Sequence, residues 1–343
     1  LLQPGEIETL DHTAIPRLVL PQPASLFTAR AARLRQLANN DIKGIPVDES
    51  LSGYLLAMAH LADAQDATAA SLLPDGVPLP DAAAMKMAHE HNMPPLPISG
   101  ARPAAWRTVF DTLLDRLDAI ASGTGAAAAP QLATAVSALR ATDEATLEGI
   151  ADAVLNEFAE GADPLRAPFV AAALQVTWAL MAAQLDERWA QPLMTGTLCP
   201  VCGSHPVASV IRIGGQSQGY RYLHCATCAS EWHMVRVKCS CCEANGKIAY
   251  QGLADANSEE PSALIAAADE GKMMNKANDP SKVARAETCD DCFSYRKIFN
   301  QEHDLQVEPL ADDLASLMLD VLVAEAGYAR ASGNPLLWLK EEE

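Results

Sequence analysis

Cys199-Pro-Val-Cys202, Cys225-Ala-Thr-Cys228, Cys239-Ser-Cys-Cys242 and Cys289-Asp-Asp-Cys292 decide how this chain is read. Each is a Cys-x-x-Cys pair, and a two-residue gap lets one tight turn aim both sulfurs at a single ion. Backbone N–H groups in such a turn donate to the thiolates and spread their charge. Two turns complete a tetrahedral four-thiolate site, so four turns make two. Pro200 stiffens the first turn, and Gly203 supplies a permissive backbone directly after it. The gap from Cys202 to Cys225 has room for a short hairpin, and the longer gap from Cys242 to Cys289 for a hairpin with an inserted loop. Local loop closure therefore assigns Cys199, Cys202, Cys225 and Cys228 to site one, and Cys239, Cys242, Cys289 and Cys292 to site two.

Other uses of cysteine fit less well. Disulfides suit secreted chains, yet residues 1–20 hold Glu6, Glu8 and Asp11 where a secretion signal would be basic and then apolar. A thioredoxin-like pair occurs once, beside a βαβ pattern, and an iron–sulfur cubane uses a closely spaced run of three cysteines. Cys241 is the spare thiol. It reads as a small buried residue, with a substitute ligand or a reactive thiol as alternatives. His205, His224 and His233 stand near the pairs, but eight cysteines already fill two sites, so they read as surface groups or supports of the ligand turns. Trp232 and Tyr222 read as cover for the small core beside the metals. On chemistry alone the ions are zinc, the usual occupant of structural knuckles, and a closed four-sulfur site offers no open position for hydrolysis.

All nine cysteines lie between Cys199 and Cys292, which marks a module inside a longer chain of 343 residues. Before it the pattern is helical. Leu51, Tyr54, Leu55, Met58 and Leu61 share one face, as do Trp106, Val109, Phe110, Leu113, Leu117 and Ile120. Gly123 to Pro130 reads as a break, and Leu147, Ile150, Val154 and Phe158 as a further stripe. Residues 163–189 predict a long helix with Asp163 as N-cap and Pro164 at its first position. Its uncharged run from Ala167 to Leu185 reads as a core helix, because Gln175, Thr177 and Gln184 interrupt it. No catalytic spacing occurs before residue 194. From about Val207 short segments rich in Val, Ile and Tyr predict antiparallel strands, at Val207–Ile213, Gly219–His224, Glu231–Val237 and Lys247–Leu253. Gly271 to Ser281 reads as a loop. Leu310, Leu314, Leu317 and Val321 restore helical spacing, and Glu341 to Glu343 reads as a solvated tail. The acidic pairs Asp312/Asp313 and Glu259/Glu260 read as solvated charges rather than acid–base pairs.

A net charge of -19 removes the basic surface that nucleic acid or an anionic membrane would need. The module itself holds eleven Lys and Arg against eleven Asp and Glu between Gly196 and Asn300, and thiolates add negative charge. A homodimer is left open.

Several stretches together resemble formate dehydrogenase accessory proteins of the FdhE type. They are Leu198-Cys-Pro-Val-Cys-Gly-Ser, Arg221-Tyr-Leu-His-Cys-Ala-Thr-Cys, Glu231-Trp-His, Arg236-Val-Lys-Cys, Glu287-Thr-Cys-Asp-Asp-Cys, Ala311-Asp-Asp-Leu-Ala-Ser-Leu, Gly327-Tyr-Ala-Arg and Asn334-Pro335. The likeness spans residues 198–335, with a looser match near Pro21-Gln-Pro-Ala-Ser-Leu-Phe. It implies a cytoplasmic, non-enzymatic assembly factor that binds the catalytic subunit of formate dehydrogenase before export. It also implies two rubredoxin-like knuckles, each holding one mononuclear ion on the eight cysteines, and it moves iron narrowly ahead of zinc. Only the first knuckle has Gly after its second cysteine; Ala229, Glu243 and Phe293 stand at that place in the others.

The expected fold class is mainly α with a small β part. A multihelical domain at 1–193 precedes one knuckle at 194–237 and a second at 238–299, and 300–343 form a C-terminal helix and tail. The alternatives to an assembly factor are an iron or thiol redox protein of metalloenzyme maturation and, behind it, a zinc-ribbon nucleic-acid regulator.

Overall fold

The computed structural model describes residues 15–337 apart from 41–44, 46, 74–75, 124–130, 158–162, 191, 194, 254–264 and 267–279. The first fourteen residues, the break before Pro130, Phe158, Glu259/Glu260, most of the Gly271–Ser281 loop and Glu341–Glu343 therefore lie outside the described residues.

A short strand, β1 (Leu18–Val19), leads into α1 (Pro23–Ala38), α2 (Glu49–Leu72), α3 (Ala82–Glu90), α4 (Ala105–Ala121), α5 (Gln131–Arg140), α6 (Glu144–Asn156) and α7 (Ala167–Ala183). Asp48, Asp81 and Asp143 cap α2, α3 and α6 by accepting the backbone N–H three residues on. The apolar stripes face the core: Leu55, Met58 and Leu61 of α2, Trp106 to Leu117 of α4, and Leu147, Ile150 and Val154 of α6 are buried. Helix α7 is buried all round, from Ala167 to Ala182, and α1, α2, α4 and α6 pack against it. Its alanines let those neighbours approach closely, while Trp178 fills the remaining space and donates from Nε1 to Leu96 O at 2.9 Å. The helix begins later than its sequence suggests. Asp163 accepts from Leu165 N in a separate turn, and Pro168 occupies the first turn of α7. None of the described helices is long and apolar enough to cross a membrane.

The β part is one sheet. After β2 (Pro206–Ile211), β3 (Arg221–Cys225), β4 (Glu231–His233), β5 (Ile248–Gly252), β6 (Ile265–Ala266), β7 (Ala284–Cys289), β8 (Ser294–Asn300) and β9 (Ala329–Arg330), the order across the sheet is β1-β4-β3-β2-β8-β7-β5-β6. Adjacent strands run antiparallel except where β2 meets β8, with Ser209 opposite Ile298. Strand β9 pairs with β8 in parallel beside Ser294 and Tyr295, on the edge that β2 uses further along. Strands from 194–237 and from 238–299 thus share one hydrogen-bonded sheet.

The C-terminal helix is two short ones, α8 (Pro309–Ala315) and α9 (Leu317–Glu325), broken at Ser316. The break resets the helical phase. Leu310 and Leu314 are buried, but the inward residues of α9 are Leu319 and Val323, and Val321 faces solvent.

One expectation fails outright. Asp312 and Asp313 are wholly buried, not solvated. Asp312 receives Arg33 from α1, Nε to Oδ2 at 3.0 Å, and Asp313 receives Arg330 at 2.6 Å and Lys297 at 3.3 Å. Arg30 adds a buried pair with Glu308 at 3.0 Å. Carboxylates enter a core when fixed cations meet them there, and these cations join α1, β8 and β9 to α8.

Candidate metal centre

The four Cys-x-x-Cys turns fold alike. In each, the residue after the second cysteine takes a left-handed backbone: φ is 80° at Gly203, 58° at Ala229, 62° at Glu243 and 53° at Phe293. Glycine is therefore not required for the knuckle, although a bulky residue there is strained. The N–H groups of Gly203, Glu243 and Phe293 each donate back to the carbonyl of the first cysteine of their turn, at 2.8–3.2 Å. Cys199, Cys225 and Cys239 donate their own N–H groups forward to Ser204, Ser230 and Ala244. Within the turns Thr227 N and Cys228 N lie 3.4 and 3.3 Å from Cys225 Sγ, and Cys241 N lies 3.3 Å from Cys239 Sγ. Those donors are already aimed at sulfur.

The eight sulfurs gather as two groups, Cys199, Cys202, Cys225 and Cys228, and Cys239, Cys242, Cys289 and Cys292, with all Sγ atoms of a group within 4.8 Å of one another. Cys199 to Cys228 is 3.6 Å and Cys202 to Cys225 is 3.4 Å; in the second group both cross pairs are 3.8 Å. A tetrahedron with metal–sulfur bonds near 2.3 Å has edges of about 3.8 Å. A disulfide would need about 2.05 Å, and all nine cysteines are free. The donor set and spacing fit two tetrahedral ions of a thiophilic metal, and both zinc and iron meet that description.

Electrostatics point the same way. Burial pushes the Cys199 and Cys202 thiols well above their usual range. Burial acts on Cys225 too, but hydrogen bonds from Cys199, Cys202 and Cys228 hold it well below. Four buried sulfurs this close cannot all ionise unless a cation replaces the shared protons, so metal uptake at site one releases protons.

The two sites differ in depth. The site-one cysteines are wholly buried and belong to the main hydrophobic core. Leu96 N and Ile98 N donate to Val201 O and Cys202 O at 3.0 and 2.9 Å, and Gln175 of α7 donates to Ala226 O at 2.8 Å. At site two Cys242 is exposed and Cys292 half-buried, and no cysteine there belongs to a hydrophobic cluster. Two buried arginines bridge the sites. Arg221 on β3 reaches Glu287 on β7 at 2.7 Å, and also Ser209 Oγ, Val235 O and Lys238 O. Arg296 on β8 reaches Ser240 Oγ at 3.1 Å, Ser332 Oγ at 2.6 Å and Pro206 O.

Cys241 stands outside both groups, half-buried. His205 is exposed. His233 is half-buried between Tyr220 and Tyr222. His224 is buried, its Nδ1 2.7 Å from Glu231 Oε1. None of the three joins a sulfur group. Tyr222 and Trp232 are buried, and Trp232 Nε1 donates to Gly196 O at 2.8 Å. The bridging role of Arg221, Glu287 and Arg296 was not read from the sequence, where they pass as ordinary strand charges.

Three family models match the chain in succession: FdhE, N-terminal, at residues 15–195; FdhE, central domain, at 198–236; and FdhE, C-terminal domain, at 269–337. Protein FdhE of Escherichia coli (strain K12) is 37% identical over 341 residues, covering 99% of this chain and 96% of that protein. The Protein FdhE homolog of Cronobacter sakazakii is 37% identical over 331 residues, 96% of this chain and 93% of its own. The crystal structure of the FdhE protein from Pseudomonas aeruginosa superposes with a TM-score of 0.73 at 34% identity, covering 94% of this chain and 99% of that one.

Proposed function

The chain belongs to the FdhE family, and on that premise we propose that it is a formate dehydrogenase accessory protein that grips the enzyme's catalytic subunit in the cytoplasm during maturation and catalyses no reaction itself. One observation carries the proposal: the likeness to Protein FdhE of Escherichia coli covers 99% of the chain, the helical body and both cysteine groups included. In this reading all eight cysteines are ligands of two mononuclear ions, iron ahead of zinc. Iron in such a site can exchange one electron without changing its ligands, whereas zinc serves the fold alone. The chain's own residues supply the rest. The knuckle N–H groups stabilise thiolates, and Arg221 and Arg296 hold the two sites in one frame. Four sulfurs around each ion leave no open position for hydrolysis, which supports an adaptor over a hydrolase.

The test is co-expression of the tagged chain with the catalytic subunit, followed by affinity capture. Recovery of the two in a fixed ratio is expected, and absence of the subunit would reject the proposal. A second reading, electron exchange, is favoured by the exposed sulfur of Cys242. It requires an iron absorption band that bleaches and returns with reductant and oxidant; a colourless, zinc-loaded protein would end it.

A further inference from the structure

The unequal setting of the two sulfur groups carries a consequence for how firmly each holds its ion. Site one is walled by the main core: its four cysteines have no exposed surface, and the Leu96–Ile98 strap is hydrogen-bonded along one side. Three hydroxyls stand beside it, Cys228 Sγ lying 3.2 Å from Ser230 Oγ, and Thr227 Oγ1 lying 3.0 Å from Ser204 Oγ. A competing donor reaches those sulfurs only if the core opens. At site two Cys239 and Cys289 are buried, but Cys242 meets solvent and Cys292 is only half covered, and none of the four belongs to a hydrophobic cluster. A soft nitrogen or sulfur donor from solution can take the place of Cys242 Sγ, whose thiolate then accepts a proton from water, with no opening of the sheet.

We propose that site two is an exchangeable site for a thiophilic divalent ion, while site one holds its ion for as long as the chain stays folded. The inference rests on the reading of the eight cysteines as ligands, and it concerns chemistry that needs no client protein.

The test uses the full chain loaded with Zn2+ and challenged at neutral pH with excess 4-(2-pyridylazo)resorcinol, which reports released zinc by colour. One ion per chain should leave roughly 100-fold faster or more than the other. Parallel alkylation with N-ethylmaleimide, read by peptide mass spectrometry, should label Cys242 and Cys292 in the fast phase, with Cys199, Cys202, Cys225 and Cys228 labelled only on unfolding. The variant C239S/C242S should keep the slow ion alone; if it folds poorly, the labelling of the unaltered chain decides. Release of both ions in one phase, or early labelling at site one, would overturn the inference while leaving the ligand assignment intact. Failure to bind two ions would overturn both. Client capture is scored separately and bears on neither outcome.

Discussion

Replacing Arg221 by Met should cost the protein about 3–5 kcal/mol, because it takes the main partner from a buried carboxylate. Arg221 has no exposed surface and spends its donors on Glu287 Oε1 at 2.7 Å, Lys238 O at 2.9 Å, Ser209 Oγ at 3.1 Å and Val235 O at 3.3 Å. Arg221 is the main partner of Glu287: the carboxylate's Oε2 atom has no hydrogen-bond partner, and only the Arg296 charge and a Ser240 backbone hydrogen bond support it besides. Burial pushes its carboxyl upward even with Arg221 and Arg296 nearby. Without Arg221 the cheapest escape is to take up a proton, which from an unfolded value of 4.5 costs about 3 kcal/mol at pH 7. The Lys238 carbonyl, stripped of its Arg221 donor, brings the total into the stated range. In urea, with free metal held constant and a slope of about 2–3 kcal/mol per molar, the midpoint should fall by roughly 1–2.5 M. The double variant Arg221→Met/Glu287→Met removes both charges and should recover at least half of the loss. A single variant that loses under about 1 kcal/mol, or a double variant no better than the sum of its parts, would refute this account of the frame between the sites.

Three further outcomes are expected. Glu231 is held at about 2: burial raises it, and Arg212, then His224, pull it lower. The stability it gives is complete above 4.5 and fades as pH falls toward 2, so Glu231→Gln should lose about 3 kcal/mol at pH 7, and the gap between the two proteins should narrow in urea titrations near pH 3. Asp312→Ala strands Arg33 in the core and should cost about 3 kcal/mol, a drop in Tm of roughly 4 °C by calorimetry; an unchanged Tm would show that Asp304 alone suffices. Phe293→Gly should be neutral or stabilising by about 1 kcal/mol, since φ is 53° and 62% of the side chain is exposed, whereas Gly203→Val should destabilise, its Cβ meeting Pro94 Cγ at 3.2 Å; the reverse order of melting temperatures would count against the knuckle geometry.

The sulfur grouping was legible because spacing within a turn is local, and so was α7 as an uncharged core helix. What sequence could not show depends on partners far along the chain. Asp312 reads as a surface charge until Arg33, 279 residues away, is placed against it. Strand β8 carries Arg296 and Lys297 side by side, so no alternation of apolar and polar residues announces it, and the single sheet it completes stayed hidden. The left-handed turns at Ala229, Glu243 and Phe293 were obscured because the backbone there is dictated by the hydrogen bonds of the turn, against the preference of the side chain.

The ion pairs between α1 and α8 also set a timetable for biosynthesis. A ribosome delivers Arg30 and Arg33, respectively, 278 and 279 residues ahead of their partners Glu308 and Asp312. Until then the nascent helices carry two guanidinium groups destined for their interior with no counter-charge to enter it, so the body stays ajar while its cysteines are still being made. Closure falls due when Glu308 and Asp312 arrive, by which time all eight ligand cysteines have been made.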